Sequence, residues 1–252
     1  MYFELTPILD KMETLYQLPR TKQRFEAYLL LLQGEKKQDM ILPIAGYNPM
    51  GKEIVLEKIK MLRQLQAEAL IPSALEQINR TLPAGNREKM EVVINVADDV
   101  GGSWSSRYTT DYINRFDVGP LVKRNFCTPY FWTSETYSTA LILQRAKAAV
   151  YRTLYWKKKG KPMTLAACVA QEVYVQQQLD SSIPTVQEYD FDAIGTFFKQ
   201  YAESEDYSLL FNFFYGDEAS EQLAYPVYGI PKMGGLAYVQ HLAKHSSIQH
   251  PI

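Results

Sequence analysis

The sequence predicts an α+β fold: one helix-rich domain spanning residues 1–252, around a small and mainly antiparallel sheet. Three observations carry this expectation. Apolar residues recur at helical spacing in most segments, as in Val55, Ile59, Leu62, Leu65 and Ala69. β-Branched residues crowd Glu91–Ala97 at period two, which favours a buried strand. The stretches 120–132 and 207–214 supply two further strands, against about eight helices.

Taken in order, Thr6-Pro7 starts a first helix, with Thr6 as cap and Ile8, Met12, Leu15 and Leu18 as its stripe. A second helix runs from Arg20 to Gln33 and stops at Gly34. Residues 38–51 hold two prolines and two glycines and read as loop, with at most a short strand at Met40–Leu42. A long helix spans Lys52–Leu70; Pro72 interrupts it, and the capping box Ser73–Glu76 restarts a short one before Pro83. These helices form a helical layer over 1–83, with Ala84–Lys89 as the boundary to an α+β remainder over 90–252.

After the 91–97 strand, Leu121–Trp132 reads as one or two edge strands, because Pro129 lacks an amide donor. Thr133 or Ser134 caps the longest helix, which reaches Lys159 and closes at Gly160. Met163–Leu179 is a further helix, capped by Thr164, and another starts at Asp190. The aromatic run Tyr207–Tyr215 is assigned to a strand, although its periodicity fits a buried helix as well. Gly235–His245 makes the last helix.

Composition narrows the function classes. A net charge of −1 gives no general attraction to nucleic acid or to an anionic membrane. The charge is uneven, however: residues 181–252 carry three Lys/Arg against nine Asp/Glu. No apolar run approaches the ~18 residues that span a bilayer. The opening Met-Tyr-Phe-Glu-Leu-Thr-Pro lacks a basic segment leading into an apolar one, and Cys127 and Cys168 form no motif, so a cytoplasmic chain with reduced thiols is expected. All three histidines, His241, His245 and His250, lie in the last dozen residues, which ranks Ser-His and Cys-His catalysis low. His241 and His245 share a helix face but point away from its apolar stripe, so no metal site is expected.

The richest chemistry lies in the loop that follows the 91–97 strand. It holds Asp98 and Asp99, the pair Gly101-Gly102, three serines, Trp104 and Arg107. Carboxylates at a strand end can hold a cation or act as acid and base, and amides around paired glycines can cradle an anion. Glu172 is a second candidate. On a helical wheel it falls with Gln176 inside the apolar stripe of Leu165, Cys168 and Val169, where a carboxylate needs a partner such as Arg145 or Arg152.

Two functional readings follow. In the first, a soluble enzyme or small-molecule-binding protein has its site at the end of the 91–97 strand. Asp98, Asp99, Arg107 and Glu172 are then the candidate catalytic residues, and Ser103, Trp104 and Tyr108 the candidate ligand contacts, with no cofactor specified. In the second, a non-catalytic interaction or scaffold protein uses the surfaces of its Tyr-rich helices; 18 Tyr and 11 Phe against 3 His motivate it.

Overall fold

The structure, a computed structural model, describes residues 1–36, 39–83, 88–100, 106–179 and 188–245. It divides into two compact units: Met1–Asn114 with Gly119–Val150, and Arg115–Val118 with Tyr151–Ile252. The described residues form twelve helices and five strands, and none of these helices is long and apolar enough to cross a membrane.

The first unit opens on β1 (Tyr2–Leu5), a strand too short to show a period in the sequence. Four helices follow: α1 (Leu9–Gln17), α2 (Lys22–Gln33), α3 (Glu53–Gln64) and α4 (Ala67–Thr81). Thr6 does not cap α1. Its hydroxyl donates to Glu91 Oε2 at 2.6 Å, while the amides of Ile8 and Leu9 donate to Glu68 Oε1 at 2.6 and 2.9 Å. The carboxylate thus satisfies two orphan donors at the helix's positive end. The break expected at Pro72 falls instead at Gln66, in left-handed backbone with φ 54°. Pro72 sits inside α4, where it forfeits one hydrogen bond while Ala67, Ile71, Ala74, Leu75 and Ile78 keep one buried stripe.

The remaining elements of this unit are β2 (Lys89–Val92), β3 (Asn95–Ala97), the first part of α5 (Arg107–Phe116), α6 (Gly119–Val122), β4 (Phe126–Cys127), β5 (Tyr130–Trp132) and the first part of α7 (Thr139–Lys159). Every strand pairing is parallel, in the orders β1-β2-β4 and β3-β5, which corrects the antiparallel expectation. The cause is connectivity. Helices α1–α4 separate β1 from β2, and α5 and α6 separate β3 from β4, so the first crossover lays β2 alongside β1 and the second lays β4 and β5 alongside β2 and β3.

The two small sheets share one register: Val92 pairs with Cys127 and Ala97 with Trp132, a constant separation of 35 residues. The ladder lapses between them because Pro129 has no amide to give the Val93 carbonyl. Asn95 covers that gap. Its Nδ2 donates to Val93 O at 3.3 Å and to Pro43 O at 2.8 Å, and its Oδ1 accepts from Gly46 N at 2.9 Å. Buried Asn95 thus ties the strand to the 43–46 loop.

The second unit holds the ends of α5 and α7, then α8 (Leu165–Gln177), α9 (Phe191–Tyr201), α10 (Tyr207–Tyr215), α11 (Asp217–Glu221) and α12 (Gly234–His245). The strand expected at 207–215 is the helix α10. Asp206 caps it, accepting from Leu209 N at 2.8 Å, and Leu209 to Tyr215 are all buried. A helix apolar on all sides shows no amphipathic period, which is why its sequence resembled a strand. Helix α12 meets α10 backbone to backbone: a Cβ on Gly235 would lie 2.3 Å from Phe213 O.

Candidate functional site

The carboxyl ends of β3 and β5 lie side by side, so residues 98–99 meet residues 133–135. The expected helix cap at Thr133 or Ser134 is not made there, because both hydroxyls serve Asp98 and Asp99. Helix α7 begins at Thr139, and Ser138 Oγ accepts from Leu141 N at 3.2 Å instead. The Thr133 hydroxyl lies 2.8 Å from Asp98 Oδ1 and 3.1 Å from Asp99 Oδ1, and it accepts from Asp99 N at 3.1 Å. Asp98 Oδ1 also accepts from Val100 N at 3.1 Å. Asp99 Oδ1 accepts from Ser134 N at 2.9 Å, and its Oδ2 from Ser134 Oγ at 2.6 Å and Arg107 Nη1 at 3.0 Å.

Both oxygens of Asp99 are therefore occupied by protein donors. Burial alone would raise its carboxyl, but the Ser134 hydroxyl and amide and the Arg107 guanidinium outweigh that and hold it below the ordinary aspartate value. A carboxylate so committed is a poor proton acceptor and a poor metal ligand.

Glu135 joins this group. Its Oε1 accepts from Arg107 Nη2 at 2.8 Å and from Arg145 Nη2 at 2.6 Å, while Lys58 Nζ donates to its carbonyl. Three cations thus converge on one residue. Arg145 also donates to Tyr130 O at 2.7 Å, which anchors it to β5. The Arg107 guanidinium stands 5.4 Å from the Trp132 ring centre, and its Nη1 donates to Ser134 Oγ at 2.7 Å. Fixed by these contacts, the Arg107 side chain is still 35% exposed. Asp98, Asp99 and Glu135 balance Lys58, Arg107 and Arg145 in number.

Glu172, fully buried as its wheel position implies, belongs to the second unit. Arg152 Nε and Nη2 each donate at 2.7 Å, Arg115 Nη1 at 2.7 Å, and Gln171 Nε2 at 3.2 Å. Burial would raise this carboxyl; Arg152 first and Arg115 after it reverse the effect and hold it low. Arg145, the other partner considered for it, serves Glu135 instead. Tyr108 is the second residue of α5 and half-buried, and Ser103 and Trp104 lie outside the described residues.

The structure thus brings together Asp98, Asp99 and Arg107, and adds Lys58, Thr133, Ser134, Glu135 and Arg145, none of which was singled out for the strand-end site from the sequence. The missing signal was strand direction. With β5 parallel to β3, Thr133 and Ser134 stand 35 residues after Asp98 and Asp99 in the register of the ladder. Among the described residues, no group of three or more His, Cys, Asp or Glu side chains is placed to hold a metal ion. No family model, curated protein or solved structure matches this chain.

Proposed function

We propose that the chain is a non-catalytic, ligand-binding protein that takes an anionic group of a small molecule on Arg107, at the carboxyl ends of β3 and β5. One observation carries this reading: Arg107 is immobilised by Asp99, Ser134 and Glu135 and by Trp132, yet keeps a third of its side chain exposed. A guanidinium whose entropy is already lost loses less on meeting a carboxylate or phosphate. Crevices beyond the carboxyl ends of parallel strands are the usual place for such ligands. Lys58 and Arg145 add positive charge at Glu135. Binding is favoured over catalysis because Asp99, the most central acid, has both oxygens engaged. The proposed setting is cytoplasmic, in keeping with two buried cysteines that form no disulfide with each other.

The test is thermal unfolding of wild type and Arg107→Gln with inorganic phosphate, citrate, ATP and glucose 6-phosphate. At about 100 times its Kd a ligand stabilises by about 2.7 kcal/mol, which moves Tm by about 5 °C or more in a chain of this size. At least one anion is expected to do so in wild type, and Arg107→Gln to abolish the shift. No shift with any of them, or an equal shift in the variant, overturns the reading.

A further inference from the structure

The second unit carries an aromatic surface unrelated to the strand-end cluster. On α9, Phe197 and Tyr201 have ring centroids 4.6 Å apart, and Tyr228 closes the group at 5.7 Å from Phe197 and 6.4 Å from Tyr201. All three side chains are half-buried, and the neighbouring Val227 is 48% exposed. The inner side is fixed, since Phe197 stacks on buried Phe213 at 6.1 Å and 14°. The loop bearing Tyr228 is fixed as well. The Asp217 carboxylate accepts from the amides of Tyr228 at 3.1 Å, Gly229 at 3.0 Å and Ile230 at 3.3 Å, and Asn212 Nδ2 holds it at 2.9 Å. Burial would raise the Asp217 carboxyl, but Asn212 and these amides hold it low, so it stays charged. Half-exposed aromatic rings held this firmly form a surface that binds without first having to order itself.

The charge carried by this stretch of the chain specifies the occupant. From 188 to 232 the chain carries nine acids against two lysines, Lys199 and Lys232. Lys232 is engaged by Glu218 at 3.2 Å. Exposed Glu203 and Glu205 follow directly on Tyr201, past the carboxyl end of α9, where the helix dipole adds further negative potential. We propose that this face docks an arginine-bearing segment of a partner protein. A flat guanidinium stacks on tyrosine and phenylalanine faces while its N–H groups reach the flanking carboxylates. An ammonium forms the charge contacts but has no plane to stack, so the surface discriminates arginine from lysine.

Fluorescence anisotropy of labelled nona-arginine, titrated with the full chain and compared with nona-lysine, tests the assignment. Nona-arginine is expected to bind more tightly than nona-lysine. Tyr228→Ser and Tyr201→Leu, the second of which keeps apolar volume but removes the ring, are each expected to weaken nona-arginine binding about fivefold with little change in the thermal melt. Paired Glu203→Gln and Glu205→Gln should flatten its salt dependence. Absence of nona-arginine binding, equal affinity for the two peptides, or wild-type affinity in a Tyr201→Leu protein that melts as wild type would each overturn it.

Discussion

Arg152 grips Glu172 through two nitrogens, with Nε 2.7 Å from Oε1 and Nη2 2.7 Å from Oε2, in a fork-on-fork pair closed by Arg115 from α5. Arg152 and Arg115 are 12% and 17% exposed and the glutamate not at all. Removing the acid therefore leaves two largely buried guanidinium groups facing one another. Glu172→Ala is expected to destabilise by about 3–5 kcal/mol, read as a lower urea midpoint. A variant as stable as wild type would show that the pair adds nothing.

The same pair sets an acid limit. Because the folded carboxyl is held below the ordinary glutamate value of 4.5, its contribution is complete above that pH. It is lost as pH falls through the lower folded value. Wild type is expected to lose stability more steeply than Glu172→Gln below about pH 4.5, since the amide has no charge to lose. Parallel acid titrations followed by circular dichroism would contradict this if the two curves had the same slope.

Asn95 stands in for a strand hydrogen bond that Pro129 cannot donate. Asn95→Ala strands Gly46 N and the carbonyls of Pro43 and Val93 at a buried site, and is expected to cost at least about 3 kcal/mol. Gly46→Ala attacks the same junction sterically. Its new methyl would lie 2.7 Å from both Asn95 Oδ1 and Tyr130 Cε1, for a loss of about 1–3 kcal/mol. Because both act on one contact, the double variant should lose less than the sum, and strict additivity would refute the shared origin.

Gly235 and Gly160 offer a contrast within the second unit. A Cβ at 235 meets the Phe213 carbonyl, which is backbone and cannot turn aside, so Gly235→Ala should separate α10 from α12 and sharply lower Tm. At Gly160 nothing lies within 4 Å, and Gly160→Ala should cost only the left-handed backbone at φ 79°, about 1–2 kcal/mol. Equal losses at the two sites would contradict the packing argument.

Cys127 and Cys168 are buried and form no disulfide with each other, and burial pushes the Cys168 thiol up to about 12. Neither should react readily with a thiol reagent in the native protein at neutral pH, and both should react once it is denatured. One equivalent or none after denaturation would reveal an unexpected bond.

The helices were legible because their stripes are local. Val55, Ile59 and Leu62 announce α3, and Thr164 caps α8, accepting from Ala167 N at 3.2 Å. Glu172 was also legible, since a wheel suffices to place a carboxylate among apolar neighbours and so to demand a partner. Strand direction was not, because it depends on where a crossover returns the chain rather than on any residue in the strand. Helix α10 was lost for a related reason: burial on every side erases the period that marks a helix.

The candidate site was half legible. Asp98, Asp99 and Arg107 stand out as polar residues after an apolar strand, whereas Thr133, Ser134 and Glu135 resembled a helix start. Only the parallel register turns a cap signal into a set of ligands for Asp99.

That register also determines which sequence lengths can vary in descendants of this chain. The crossover between β3 and β4 can gain or lose residues without altering which strand positions face each other, because the pairing is fixed by the strands themselves. Insertion of one residue between Val93 and Asn95, with none opposite, would advance Asp98 and Asp99 by one step against Thr133 and Ser134. It would also turn every later side chain of β3 to the other face. Drift in length is therefore tolerated across the crossover and lethal to the cluster within the strands, so new specificities at this strand end would arise by lengthening the connection rather than by editing the ladder.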